Sequence, residues 1–440
     1  MTTFSRLGSA NTYDNALRNL SQRQSSLSNL QENLTSGKRV VRASDDPTSA
    51  GQAERSLTRI GRIQTDQRGL EAQRNAIAMA EGTLGNVTDA LQNFRELVVS
   101  AGNGTHTAEE RKTIALQLTG LRDQIFAQAN TKDTNGQPLF SALGSALTPF
   151  VGPQSTSPDY SFTGLPGQMA SSNVAIPFTL DGDSAFMHQT ARDGVFNATV
   201  NNTTTGAIPT SRSLLTSVVT ITDHAVVATT AAASAAVLPA SAAKEYPSYT
   251  VKFDTVVPDP TTGLTTATYS ITEVPPVSAG IVSPAPSVTF TTGKPANITV
   301  TSVPGLSFTI TGTPAQNDVV TIDTNPSIFS VLDDAIRDIG GATNSNAANQ
   351  AIGQALGNID IGMSRVAAIR GQAGDLLNRA DRITSNQEQR SIQLEADRSR
   401  AEDLDMIKGL SNCQNQQTGY QAALQSYAQV QKLSLFNYIG

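Results

Sequence analysis

The sequence predicts an α+β fold: a long antiparallel helical bundle or coiled-coil rod made from both chain ends, with a β-rich central insertion of one or two small β lobes. Three observations carry this. Of the 20 prolines, Pro47 alone precedes Pro138 and none follows Pro326, so both flanks lack the residue that breaks helix interiors. Both flanks also space apolar residues at alternating intervals of three and four, which is a helical seam. The region between them is rich in Thr, Val, Ser, Gly and Pro and alternates apolar with polar side chains, as half-buried strands do.

In chain order, Ala10, Tyr13, Leu17, Leu20, Gln24, Leu27, Gln31 and Leu34 form a seam that predicts a first helix over about 10–35, stopped by Gly37. Two glutamines on that seam leave the helix marginal until a partner covers it. Ser44-Asp45-Asp46-Pro47 opens the next helix, because a small polar side chain caps free amides and proline suits the first helical turn. Ile63, Leu70, Ile77, Leu84, Leu91 and Val98 then recur every seven residues, with Ile60, Gln67, Arg74, Glu81 and Arg95 in companion positions. Asn103-Gly104 ends that helix. Thr107 with Glu110 makes a capping box for a third, carrying Ile114, Leu118, Leu121 and Ile125. Toward the other end, Ile352, Ile359, Val366, Ala373 and Ala380 share one heptad series, and Ile369, Leu376 and Ile383 its neighbour. Met406, Leu410, Cys413, Gln417, Tyr420, Leu424 and Tyr427 continue the pattern up to Leu433, Leu435 and Phe436. Each terminal seam thus offers the other a partner.

Within the insertion, alternation at Tyr249-Val251-Phe253, Ala267-Tyr269-Ile271 and Phe308-Ile310 predicts antiparallel strands. The run Ala225–Ala243 reads equally as strand, linker or surface loop. Residues 141–325 hold eleven acids and five bases, so the net charge of −6 arises there and the flanks are neutral. A chain without a basic stripe lacks the footprint of a nucleic-acid or anionic-membrane binder. The N-terminus lacks the apolar run of a secretory signal, so if the chain leaves the cell it leaves by another route.

Candidate chemistry is sparse. Cys413 is the single cysteine, so no intramolecular disulfide forms, and its seam position suits a small buried hydrophobe. His106, His188 and His224 lie far apart in expected loops or strands, where ordinary surface or turn histidines are expected. Asp45-Asp46 is explained by helix capping. Asp181-Gly182-Asp183 starts like a calcium loop, but no later acidic ligands follow. Neither an enzyme, a metal nor a cofactor is expected.

The stretch from Leu34 to Pro47, Leu-Thr-Ser-Gly-Lys-Arg-Val-Val-Arg-Ala-Ser-Asp-Asp-Pro, resembles the amino-terminal signature of the bacterial flagellin family. Pro47 after the two acids, and the ending Tyr427 to Tyr438, are more similar to the hook-associated protein 3 branch of that family. Residues 305–318 resemble a stretch preceding the carboxyl helices in that branch, although Asn317 stands where glycine is common. The resemblance covers roughly 1–140 and 300–440.

It implies an extracellular flagellar subunit, forming the junction between hook and filament and templating flagellin assembly. Residues 1–42 and 398–440 would form the inner coiled coil, 43–140 and 326–397 the rod helices, and 141–325 β-rich surface domains. The implied partners are other copies in a ring, the preceding hook-associated protein, flagellin, and an export chaperone of the flagellar type III pathway. Tyr13, Leu17, Leu20, Leu27, Leu34, Met406, Leu410, Cys413, Tyr420, Leu424, Tyr427, Leu433, Leu435 and Phe436 are the candidate assembly residues, and Ser44, Asp45, Asp46 and Pro47 the candidate cap and turn. The alternatives are a filament flagellin, a surface adhesin on a coiled-coil stalk, and an enzymatic insert.

Overall fold

The structure is a computed structural model that describes residues 9–155, 159–237, 247–274 and 286–439. The chain forms two compact units, Met1–Gly69 with Arg382–Gly440, and Leu70–Asp381. Four long helices carry the flanks: α1 (Ser9–Ser36), α2 (Pro47–Ala101), then near the other end α8 (Ser345–Glu402) and α9 (Met406–Ile439). α2 and α8 supply residues to both units.

In the larger unit the heptad positions are the core. Leu70, Ile77, Leu84, Leu91 and Val98 of α2 are buried, as are Ile352, Ile359, Val366, Ala373 and Ala380 of α8. The companion positions carry ion pairs between these two helices: Arg74 to Asp381 at 3.2 Å, Glu81 to Arg370 at 2.7 Å and Arg95 to Asp360 at 2.8 Å. Partner numbers fall as α2 advances, so the helices run antiparallel. Exposed pairs of this kind contribute about 0–1 kcal/mol each. They set register, and the buried seam supplies the stability.

α3 (Ala108–Ala129) starts at the expected capping box, with Thr107 Oγ1 accepting from the Glu110 amide and Glu110 accepting from the Thr107 amide. It packs on α7 (Ile328–Gly340). Residues 139–195 are not β-rich. They hold two-residue strands β1 (Phe150–Val151) and β2 (Ser161–Phe162) and short helices α4 (Gly182–Phe186) and α5 (Thr190–Asp193), gathered round an aromatic cluster. Phe329 of α7 is its hub, with ring centroids 5.2–5.7 Å from Phe126, Phe150, Tyr160 and Phe186. Above it, the Tyr160 hydroxyl donates to Asp333 at 2.6 Å and Arg122 lies 2.6 Å from the same oxygen. Burial first, and the hydrogen bond to Asp333 second, push the Tyr160 phenol up, so it stays a donor.

The sheets begin at Phe196. β3 (Phe196–Asn202), β11 (Asp318–Thr324), β6 (Ser248–Asp259), β7 (Leu264–Val274) and β8 (Ser287–Thr291) make a five-stranded antiparallel sheet in that order. In the second sheet β10 (Leu306–Gly312) is central, with β9 (Ala296–Val300) on one side and β4 (Leu214–Thr216) and β5 (Thr220–Ile221) on the other. The alternating residues read from sequence, Tyr249, Val251, Phe253, Ala267, Tyr269, Ile271, Phe308 and Ile310, are buried in one core shared by both sheets.

The run 225–243, expected as strand, linker or surface loop, is instead helix α6 (His224–Val237) over its described part, with 238–243 outside the described residues. Asp223 Oδ1 accepts from the amides of Ala225 and Val226, capping it, and alanine is the best helix former. His188 is buried rather than on the surface, which pushes its imidazole pKa down, and faces Asp193 at 3.8 Å. Asp181 caps α4 through Ser184. Asn317 has φ +67, which explains glycine's place there, since asparagine is among the few residues that tolerate the left-handed region. The next residue, Asp318, is fully buried and accepts two hydrogen bonds of 2.5 Å from Arg212.

α8 is tied to the sheets by three buried amides at four-residue spacing. Gln350 Nε2 donates to the Ala198 carbonyl of β3 at 2.7 Å, and its Oε1 accepts from the Thr216 amide of β4 at 2.8 Å. Gln354 donates to the Ser217 carbonyl at 3.1 Å and Asn358 to the Phe196 carbonyl at 2.7 Å. These side chains satisfy strand-edge groups that would otherwise be unpaired.

On α7, burial pushes the Asp334 carboxyl up to about 6, against the pull of Arg337. A folded value above the unfolded one means the native chain holds this proton more tightly. Its contribution is therefore fully present below about pH 4 and is lost as pH rises through about 6. Asp334→Asn should remove that slope and raise stability at pH 8 by about 1–2 kcal/mol; urea unfolding of both chains at pH 5 and pH 8 measures it, and an unchanged slope contradicts it.

Candidate assembly interface

The smaller unit is organised round two helix breaks that are stitched together. Gly37, at φ +70, takes the left-handed conformation that ends α1. The Leu404 amide donates to its carbonyl at 2.9 Å, and the Arg39 amide donates to Glu402 O at 2.7 Å. Lys38 pairs with Glu402. Arg39 reaches across to the Ala401 carbonyl at 2.7 Å, Ser49 Oγ at 3.1 Å and Asp46 Oδ2 at 3.3 Å. The α1–α2 break and the α8–α9 break at 403–405 are thereby one joint.

Asp46, not Ser44, is the cap of α2. Its Oδ1 accepts from the Ser49 amide at 3.1 Å and its Oδ2 from the Ser49 hydroxyl at 2.6 Å, and Pro47 takes the first helical position. Asp45 turns back to accept from the Arg42 amide at 2.8 Å, closing the turn, while Ser44 is exposed. Sequence spacing allowed any of the three, and chain direction after Val40 selects Asp46. The Ser49 hydroxyl, then its amide, hold the Asp46 carboxyl down at about 2. A lowered folded value means the contribution is present above the unfolded value near 4 and disappears as pH falls through about 2. Asp46→Ala should lower the melting temperature at pH 7, with Asp46→Asn retaining most of it because asparagine also caps. Thermal melts at pH 7 and pH 2 check this, since the Ala deficit should vanish at the lower pH.

From this joint α1 and α9 run side by side and antiparallel. Gly409 lies beside Leu34 and Gly419 beside Arg23. A Cβ at Gly409 would lie 2.8 Å from Leu404 Cδ2 and 3.4 Å from Leu34 Cδ2, so the two leucine side chains cover this position. Leu20, Leu27, Leu34, Cys413, Tyr420 and Tyr427 are half-buried along the pair. Leu17, Met406, Leu410 and Leu424 are exposed, as is Ile407 at 85%. Tyr13, Leu433, Leu435 and Phe436 lie on these helices with side chains outside the described residues. Among the described side chains of α1 and α9, Gly409 is the single buried position. An apolar pair that buries so little leaves stabilisation unrealised, since a Leu or Ile side chain gains about 1.5–3 kcal/mol on full burial.

Sequence reasoning missed Arg39, Glu402 and Gly409 as parts of this joint. A signal was present in Arg39, which lies inside the quoted signature. The described residues contain no cluster of metal-ligating side chains and no helix long and apolar enough to cross a membrane.

Comparison with known proteins follows this division. The bacterial flagellin N-terminal helical region matches residues 9–144, and the bacterial flagellin C-terminal helical region matches residues 356–439. Flagellar hook-associated protein 3 of Escherichia coli (strain K12) is 33% identical over 146 residues, 31% of this chain and 44% of that protein. A flagellin of Clostridium tyrobutyricum is 32% identical over 126 residues, 29% of this chain and 33% of that protein. The matches thus span less than half of these curated relatives. Among solved structures, the flagellar junction protein FlgL from Legionella pneumophila is 25% identical with a TM-score of 0.53, over 75% of this chain and 99% of that one. A flagellar hook associated protein-3 structure from Legionella pneumophila, 24% identical with a TM-score of 0.56 over 78% of this chain and 97% of that one, shares the fold. With the two flagellin regions together taking in half of its residues, the chain belongs to the bacterial flagellin family.

Proposed function

We propose that this chain is a structural subunit of the junction between flagellar hook and filament, and the template on which flagellin assembles. The observation that carries an assembly role is the α1–α9 pair, which keeps apolar side chains exposed along two long helices with almost nothing buried. Such a pair is completed by neighbouring copies. The likeness to a solved junction protein over 75% of the chain supports the junction over the filament.

In this reading residues 1–42 and 398–440 form the inner layer of a ring, and 43–140 with 326–397 its outer rod. One face meets the preceding hook-associated protein and the other receives flagellin. Before assembly the terminal helices travel through the type III export channel to the extracellular flagellum, with a chaperone covering the carboxyl end. Ordering these segments only on assembly couples folding to binding. The role is mechanical, not catalytic.

Immunogold labelling of whole cells tests the proposal. A single spot at the hook–filament boundary is expected. Decoration along the whole filament would instead identify a filament flagellin, a reading favoured by the flagellin matches, and would overturn this one.

A further inference from the structure

A small, partly enclosed chamber with polar and apolar walls lies between α7, α8, β3 and the residue that follows β11. Asn197, Asn325, Asp334, Asp338 and Asn358 line it, and it leaves about 10 Å³ in which the centre of a water molecule can move. That is room for one water and nothing larger. Two atoms of the lining have no hydrogen-bond partner among the described residues: Asn358 Oδ1, on a residue 2% exposed, and Asn325 Nδ2, on a residue 6% exposed.

Orientation of the Asn358 amide is fixed by its other end. Its Nδ2 donates to the Phe196 carbonyl, so the atom left over is an acceptor. Asn325 lies near enough to Asp334 to favour the charged carboxylate, yet makes no bond of normal geometry with it. Its free atom is a donor. The two carboxylates are already engaged, since Asn197 Nδ2 donates to Asp334 at 3.0 Å and to Asp338 at 3.2 Å, and Arg337 pairs with both.

We propose that this chamber binds a single structural water that accepts from Asn325 Nδ2 and donates to Asn358 Oδ1, joining the end of β11 to α8 beside α7. A lining that holds one unpaired donor and one unpaired acceptor matches water. A monatomic cation would meet the donor head-on, and its natural carboxylate ligands are already engaged by Asn197 and Arg337. An anion would meet Asp334 and Asp338.

The test is a crystal structure of the full chain at a resolution that shows discrete waters, from crystals soaked in a rubidium salt. One spherical peak at roughly 2.7–3.2 Å from both atoms, without anomalous signal, is expected. A chamber without density, or an anomalous peak there, overturns the proposal. In solution, oxygen-17 relaxation dispersion should count one fewer long-lived water in Asn325→Leu than in the parent chain, and an equal count contradicts the assignment.

Discussion

A chain lacking α9, residues 406–440, should remain folded over 70–381 and fail to assemble. The core of the larger unit draws on Leu70–Val98, Ile352–Ala380 and both sheets, none of which lies in α9. Its unfolding free energy from urea titration should stay within the range of a surface change, about ±0.5 kcal/mol. α1 loses its half-buried partner, and incorporation into flagella should drop to background. Electron microscopy of cells making only the truncated chain reads the outcome, with normal filaments as the contrary result. A subtler variant separates folding from assembly. Ile407→Asp with Leu410→Asp changes two exposed positions, so the free chain should unfold as before. Assembly should still fail, because each of these apolar side chains offers about 1.5–3 kcal/mol on burial.

Phe329→Ala should be the most destabilising single substitution of the larger unit. Its ring touches four other aromatic rings drawn from α3, the 139–195 segment and α4, and it is fully buried. Truncating a buried Phe costs about 3–5 kcal/mol, because the cavity collapses only in part. Phe329→Leu keeps much of the volume but loses the edge-to-face contacts, worth about 0.5–1.5 kcal/mol per pair, and should fall between. Urea titrations followed by circular dichroism measure both. A loss below about 1 kcal/mol for Phe329→Ala would show that the cluster repacks freely.

The long helices were legible because a seam repeats within its own element. Leu70, Ile77, Leu84, Leu91 and Val98 announce their burial by spacing alone, whatever they pack against. Thr107 with Glu110 was legible for the same reason, since both partners of the capping box sit within one turn. The strands at 249–253, 267–271 and 308–310 followed from alternation, and the amino- and carboxyl-terminal wording pointed to the flagellin family. Asp46 was legible only as one of three neighbours.

Other features depend on residues brought together from far apart in the chain. Phe126, Phe150, Tyr160, Phe186 and Phe329 share no local period, so the cluster exists only once α3 and α7 pack and the loops close over them. Gln350, Gln354 and Asn358 look like a solvated face of α8, and only the free edges of β3 and β4 reveal them as buried donors. His188 reads as an ordinary turn residue until the 181–194 segment covers it. What the sequence by itself determined is therefore where helices and strands run and which face of each is apolar, because those depend on the periodicity of backbone geometry. The tertiary structure alone decided which faces find a partner within the chain and which, on α1 and α9, stay exposed, because burial depends on what lies opposite each face.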